Sequence, residues 1–171
     1  MTDLEDLLEF HSDPEVVRYI PWPVRDREAT RTTLRDKLDR HIVSGSGQWL
    51  VLAVELRESC KVIGEILLKW ESEEHQQGEI GYAYNAAYHR RGFATEAAAA
   101  MLDFGFSTMG LHRIAGKCDA RNRGSARVLA GLGMRLEGTL RECEFFKGEW
   151  TDEQIFAILS TEWTARKNPS N

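Results

Sequence analysis

Apolar positions recur along this chain with two different periods. Near the start, Leu4, Leu7, Leu8 and Phe10 follow Thr2 and Asp3 at helical spacing, which predicts a short capped helix. Tyr19, Ile20, Pro21, Trp22 and Pro23 break it, because each proline restricts the residue before it. Leu34, Leu38 and Ile42 then share one face of a second helix, predicted over 27–42 and ended by Ser44, Gly45, Ser46 and Gly47.

From Trp49 the period shortens. Residues 49–54 and 62–68 are apolar runs on either side of a charged turn, the pattern of a hairpin. The acidic stretch 71–75 leads into a third strand, 78–84, whose glycines mark a bulge or the close approach of another group. A helix over 95–109 places Ala98, Met101, Leu102 and Gly105 on one face, and a strand over 112–118 follows. Asn122 or Ser125 caps the next helix, which ends near Gly131 and Gly133. Two last strands, around 135–146 and 154–159, join at Lys147 and Gly148. That order predicts an α/β (α+β) layer with a mixed sheet. A length of 171 residues fits one domain, expected over 1–166 with a polar tail at 167–171.

Composition narrows the function. Hydrophobic residues at 42% and charged residues at 29% are an ordinary globular balance. A net charge of −5 argues against a general nucleic-acid binder, which needs a basic face to displace counterions from phosphates. Weak acidity is compatible with a cationic substrate. Cys60, Cys118 and Cys143 are an odd set without CxxC spacing, and the histidines are scattered, so neither a disulfide framework nor a metal site is expected. No apolar run reaches the ~20 residues of a membrane span, and the start is acidic rather than signal-like. A soluble cytoplasmic protein with no membrane or nucleic-acid partner is the expectation.

The segment His89, Arg90, Arg91, Gly92, Phe93, Ala94 and Thr95 lies between a strand and an alanine-rich helix. Backbone N–H groups at a helix start attract anions, glycine permits close approach, and two arginines add charge-assisted donors. A phosphate or pyrophosphate is the natural guest. Neither a Walker loop nor a dinucleotide fingerprint is present. Taken alone, the segment reads equally well as a solvated basic helix start.

The order of elements around it changes that balance. Glu79, Ile80, Gly81 and Tyr82 on a strand, then 89–94, then Thr95, Glu96 and Ala97 opening a helix, resemble the central motif of the GNAT acetyltransferase superfamily. Asn122-Arg123-Gly124-Ser125, Leu132-Gly133-Met134, Glu137-Gly138 and the ending Lys147-Gly148-Glu149-Trp150-Thr151-Asp152 resemble its RimJ/RimL-like branch, the ribosomal-protein N-terminal acetyltransferases. Asp13-Pro14-Glu15-Val16-Val17-Arg18-Tyr19 is similar to the start of that branch. The resemblance spans nearly the whole chain, with two departures. His89 opens the phosphate loop where the family carries Gln, Arg or an aromatic residue. The chain also starts at the first helix, without the edge strand that members place ahead of it.

The resemblance implies a GNAT-type mixed, mostly antiparallel twisted sheet with helices on both faces and the first edge strand missing. It implies acetyl-coenzyme A in a cleft between strands 79–84 and 112–118. The pantetheine would pair with backbone near Tyr82, Ala83 and Tyr84, Asn122 would hold its arm, and the pyrophosphate would rest on the loop 89–95. An amine would attack the thioester directly, with no covalent enzyme intermediate. Since an amine of pKa ~8–10 is mostly protonated at neutral pH, a base is needed. Glu79 and Glu144 are the candidates, and Ser125 is placed to donate to the leaving sulfur. A backbone N–H of a bulged strand would meet the developing oxyanion.

Plainer readings stand beside these. Glu79 and Glu144 are each equally readable as solvated strand residues, Ser125 as a cap, and Trp22 as a packing anchor. A catalytically silent module that binds coenzyme A is the alternative function. Branch membership makes a protein N-terminal α-amine the leading acceptor, followed by a polyamine, amino sugar or amino-acid derivative. A homodimer, paired through an open sheet edge, is the expected assembly.

Overall fold

A computed structural model of the chain describes residues 3–38 and 42–167. Helix α1 (Asp3–His11) buries Leu4, Leu7 and Phe10, as the spacing predicts; Thr2, its expected cap, lies outside the described residues. The break comes earlier than the prolines at 21 and 23. The Asp13 carboxylate accepts from the Glu15 amide at 2.9 Å and opens a one-turn helix, α2 (Pro14–Val17). Pro14 sits in its first turn, where a missing N–H is harmless. Helix α3 (Arg27–Leu38) is shorter than predicted: 39–41 lie outside the described residues, and Ile42 is exposed and not helical.

Six strands form one sheet: β1 (Trp49–Leu56), β2 (Lys61–Ser72), β3 (Gln77–Tyr84), β4 (Arg113–Asp119), β5 (Arg135–Phe146) and β6 (Glu149–Leu159). Their spatial order is β1-β2-β3-β4-β6-β5. Every neighbouring pair is antiparallel except β3 and β4, which the crossover helix α4 (Phe93–Ser107) makes parallel. Helix α5 (Arg123–Gly131) joins β4 to β5.

Helix α4 covers one face, packing Ala98, Met101 and Leu102 with Ile66, Leu68, Ile80 and Ile114. Helix α1 and the turn after α2 cover the other, where Leu7, Phe10, Val16, Ile20 and Trp22 meet Val62 and Ala83. Helices on both faces of a mixed, mostly antiparallel sheet are therefore present. The ladder between β2 and β3 runs unshifted from Gly78 to Tyr84, and its one irregularity leaves Glu71 of β2 as the extra residue. Of the two readings of the third strand's glycines, the bulge is absent and the close approach holds: a Cβ at Gly78 would stand 2.7 Å from Leu111 Cδ1. A last helix, α6 (Ser160–Lys167), to which the sequence pattern assigned no element, takes in only Lys167 of the expected polar tail. Buried Trp163 anchors it, donating from Nε1 to Asp103 Oδ1 at 2.7 Å, and Glu162 accepts from the Leu159 amide. Residues 168–171 of the expected tail lie outside the described residues.

Candidate active site

Strands β3 and β4 pair only over Gln77↔Arg113 to Ile80↔Gly116. Beyond that point β3 continues to Tyr84, held by β2, while β4 continues to Asp119, held by β6. The two strands part, and a wedge opens between 81–84 and 117–119. On the wedge side, the backbone of 81–84 has no strand partner among the described residues. An extended chain carrying amide groups can add there as a short pseudo-strand.

The loop after β3 is tightly held. The Asn85 amide donates to Ile63 O at 2.9 Å, its Nδ2 donates to Glu9 Oε2 at 2.9 Å, and its Oδ1 accepts from the Ala87 amide. His89 folds back so that Nε2–H donates to Tyr84 O at 3.0 Å, which fixes the tautomer. The His89 ring therefore braces the loop. Gly92 caps α4 with φ 87°, a left-handed conformation, and supplies no side chain to the first turn. The amides that open α4, at Phe93, Ala94 and Thr95, are left to a guest by that cap, and the helix dipole favours an anion there. Arg90 and Arg91 are exposed and make no ion pair among the described residues; Arg91 lies over the rings of Tyr88 and Phe93 at 5.5 and 5.1 Å. These groups fit a pyrophosphate.

Alternation along β3 divides the remaining candidates between the faces. Tyr82 lies on the α4 and α5 side with Ile80. Its hydroxyl stands 3.0 Å from Ser125 Oγ and 3.2 Å from Ser125 O, and its single proton serves one of these two acceptors at a time. Tyr84 is 6.4 Å away, ring to ring. Burial pushes both phenols well above the ordinary tyrosine range. Asn122, not Ser125, caps α5: its Oδ1 accepts from the Ser125 amide at 3.0 Å. Burial raises the Cys118 thiol, and nearby Ser125 opposes that shift.

Glu79 lies on the opposite face. Its Oε2 is 2.7 Å from Lys117 Nζ, and this pairing raises the Lys117 ammonium. Glu79 and Ser125 thus flank the wedge from its two sides. Glu144 is exposed on the edge strand β5 and makes no ion pair among the described residues. Between them stands Glu153, which the sequence pattern did not single out. Burial pushes its carboxyl up, Lys117 opposes that shift, and the charges of Glu144 and Glu79 add to it. Register explains the meeting: Glu153 pairs with Asp119 on one side and Leu140 on the other. In sequence, the only sign was its alternation with Ile155 and Ala157.

On the Glu79 side, Lys147 donates to the carbonyls of Val17 and Ile20, tying the β5–β6 turn to the turn after α2. Trp22 packs into the α1 cluster with the Arg25 guanidinium 4.7 Å above its ring, the placement of a packing anchor. Among the described residues, no group of three or more His, Cys, Asp or Glu could hold a metal, and no helix is long and apolar enough to cross a membrane.

The family profile described as an acetyltransferase (GNAT) domain matches residues 1–135. The chain is 35% identical over 161 residues to the uncharacterized N-acetyltransferase YnaD of Bacillus subtilis, spanning 94% of this chain and 90% of that one. Its structure is similar to an acetyltransferase (GNAT family) from Bacillus anthracis, with TM-score 0.84, 36% identity and coverage of 94% and 90% of the two chains. It shares its fold, at 20% identity, with a spermidine N-acetyltransferase from Vibrio cholerae solved in complex with CoA and spermine. There the TM-score is 0.78 and the coverage 95% and 92%.

Proposed function

Because this chain belongs to the GNAT acetyltransferase family and is an N-acetyltransferase, we propose that it moves the acetyl group of acetyl-coenzyme A to a primary amine in a ternary complex, as a RimJ/RimL-like cytoplasmic enzyme. The observation that carries this reading is the wedge beyond Ile80↔Gly116, opening toward a helix start whose cap is Gly92. In it, Arg90, Arg91 and the amides of 92–95 hold the pyrophosphate, and backbone near Tyr82, Ala83 and Tyr84 with Asn122 holds the pantetheine arm. The thioester is presented inside the wedge.

The acceptor enters on the Glu79 side, between the turn at 19–25 and the β5–β6 hairpin. Glu79 takes its proton, directly or through water, with Glu144 as the second candidate. Nitrogen then bonds to the carbonyl carbon, the carbon–sulfur bond breaks, the electron pair leaves on sulfur, and the proton shed by the new amide nitrogen passes to water. Ser125 Oγ–H donates to that sulfur from the opposite face. Full proton transfer from a serine hydroxyl to a thiolate is uphill, so its contribution is a hydrogen bond. A protein N-terminal α-amine is the leading acceptor and a small polyamine the second; the spermine held by the Vibrio cholerae enzyme motivates the latter. Open edges at β1 and β5, the latter near exposed Leu136, Leu140, Phe145 and Trp150, support a homodimer.

The test is a calorimetric titration with acetyl-coenzyme A, with ATP as control, followed by turnover on spermidine and on short peptides beginning with serine or alanine. One-to-one binding that ATP does not mimic, with acetylation of a peptide amine, is the expected result. A folded protein that binds no acetyl-coenzyme A ends this reading, and turnover on spermidine alone reassigns the acceptor.

A further inference from the structure

The Ser125 hydroxyl is surrounded by the chain's own groups. Its amide is pinned by Asn122 Oδ1 at 3.0 Å, so the third residue of α5 cannot drift along the cleft. Its Oγ has the Tyr82 oxygen at 3.0 Å. Tyr82 projects from β3 and Ser125 from the start of α5, on opposite sides of the wedge, so their contact crosses the cleft where the strands part.

A serine hydroxyl has one proton and two lone pairs. If Ser125 donates to the Tyr82 oxygen, that proton is turned away from the cleft. If Tyr82 donates to Ser125 Oγ, the serine proton is free for a guest. The Tyr82 oxygen lies within hydrogen-bonding reach of both Ser125 O and Ser125 Oγ, so a small rotation of the phenol proton exchanges the two states. A developing negative charge in the wedge favours the second, because a chain of aligned donors polarises toward it. Burial holds the phenol protonated, so Tyr82 is a donor throughout the neutral range.

We propose that Tyr82 is a positioning residue, whose hydroxyl donates to Ser125 Oγ and thereby aims the Ser125 proton at the sulfur leaving the acetyl group. This rests on the reading of the wedge as the acetyl-coenzyme A site and of Ser125 as the donor to sulfur. Neither Tyr82 nor Ser125 gives up its proton: the electron pair of the broken carbon–sulfur bond stays on sulfur, held by the Ser125 O–H, and solvent protonates the thiolate after release.

Ultraviolet titration of the thiolate absorption of bound coenzyme A tests this without any acceptor. Donors aimed at sulfur favour the charged form, so the bound thiol ionises at lower pH than it would without them. The thiol bound to Tyr82→Phe, which keeps the ring and loses only the oxygen, is expected to ionise about one pH unit higher than in the unaltered protein. Ser125→Ala is expected to show the same rise, and the double variant no more than Ser125→Ala alone. An unaltered thiol in Tyr82→Phe alongside a raised one in Ser125→Ala overturns the role of Tyr82 and leaves that of Ser125 standing. An unaltered thiol in Ser125→Ala overturns both, and failure of the unaltered protein to bind coenzyme A ends the cofactor reading itself.

Discussion

The ammonium of Lys117 sits 2.7 Å from Glu79 Oε2, across the strand pair that splits at the cleft. Glu79 stands opposite Ala115 in the ladder, so Lys117 reaches back along β4 to meet it. The lysine is 39% exposed, which limits what the pair adds to folding. Lys117→Met is therefore expected to change unfolding free energy by less than ~1 kcal/mol in denaturant titration.

Glu79→Gln is expected to lower kcat by about 10²–10⁴-fold while acetyl-coenzyme A affinity stays within about twofold, the mark of a lost general base. Glu144→Gln, on an exposed edge strand, is expected to cost less than about tenfold. Steady-state kinetics beside calorimetry separate the two carboxylates. A larger loss in the Glu144 variant would reverse their assignment.

Glu153 gives a pH signature of opposite sign to the usual carboxylate. Burial raises its folded-state ionisation above the unfolded one. The folded state then holds its proton to higher pH than the unfolded state does, so ionising Glu153 weakens folding above that range. Glu153→Gln is expected to raise Tm at pH 7. The gain should fade as pH falls through the ordinary glutamate value of ~4.3, where both states are protonated. Thermal melts across pH 4 to 8, at ~0.5-unit spacing, would check this; a constant difference across the range would refute the burial argument.

The proposed anion cradle rests on one backbone conformation and two exposed arginines that make no ion pair among the described residues. Gly92→Ala finds open space for its Cβ but must hold φ 87°, at a cost of about 1–2 kcal/mol. Weaker acetyl-coenzyme A binding with an intact fold by circular dichroism is the expected outcome. Replacing both Arg90 and Arg91 by alanine should weaken binding by roughly tenfold or more and flatten its dependence on salt. Affinity unchanged by either substitution would place the pyrophosphate elsewhere.

Gly64 has a different use. It lies opposite Tyr84 in the β2–β3 ladder, and a Cβ there would stand 2.4 Å from Tyr84 Cδ1 and 2.7 Å from Ala83 O. Gly64→Ala is expected to destabilise by about 1–3 kcal/mol, with backbone as well as ring in its way. Denaturation midpoints would report it. The same substitution should weaken cofactor binding, since Tyr84 Oη also donates to Phe93 O at the start of α4.

Much of the fold was legible because its signals are local. The alternation in 78–84 and the helical spacing of Ala98, Met101 and Leu102 each name an element from a few neighbouring residues. Local competition misled in places. Asp13 with Pro14 opened a separate turn of helix before the Pro21–Trp22–Pro23 break, and Trp163 drew the chain end into α6 through a bond to distant Asp103. The glycines of β3 suggested a bulge or a close approach, and the ladder decided for the second: it is regular there, and Leu111 and Leu67 fill the room that Gly78 and Gly81 leave.

By itself the sequence marked out the contiguous parts of the candidate site: the loop 89–95, a helix cap at Asn122 or Ser125, and the order of strands and helices. These follow from backbone geometry and spacing within a turn or two. Only the tertiary structure decided that β3 and β4 part after Ile80, that Lys117 meets Glu79, that Tyr82 reaches Ser125, and that Glu153 stands among them. Such contacts depend on strand order and register, which are fixed when both faces of the sheet bury their apolar residues together. No short stretch of chain carries that information, because a single-residue slip in register would turn each of these side chains to the other face.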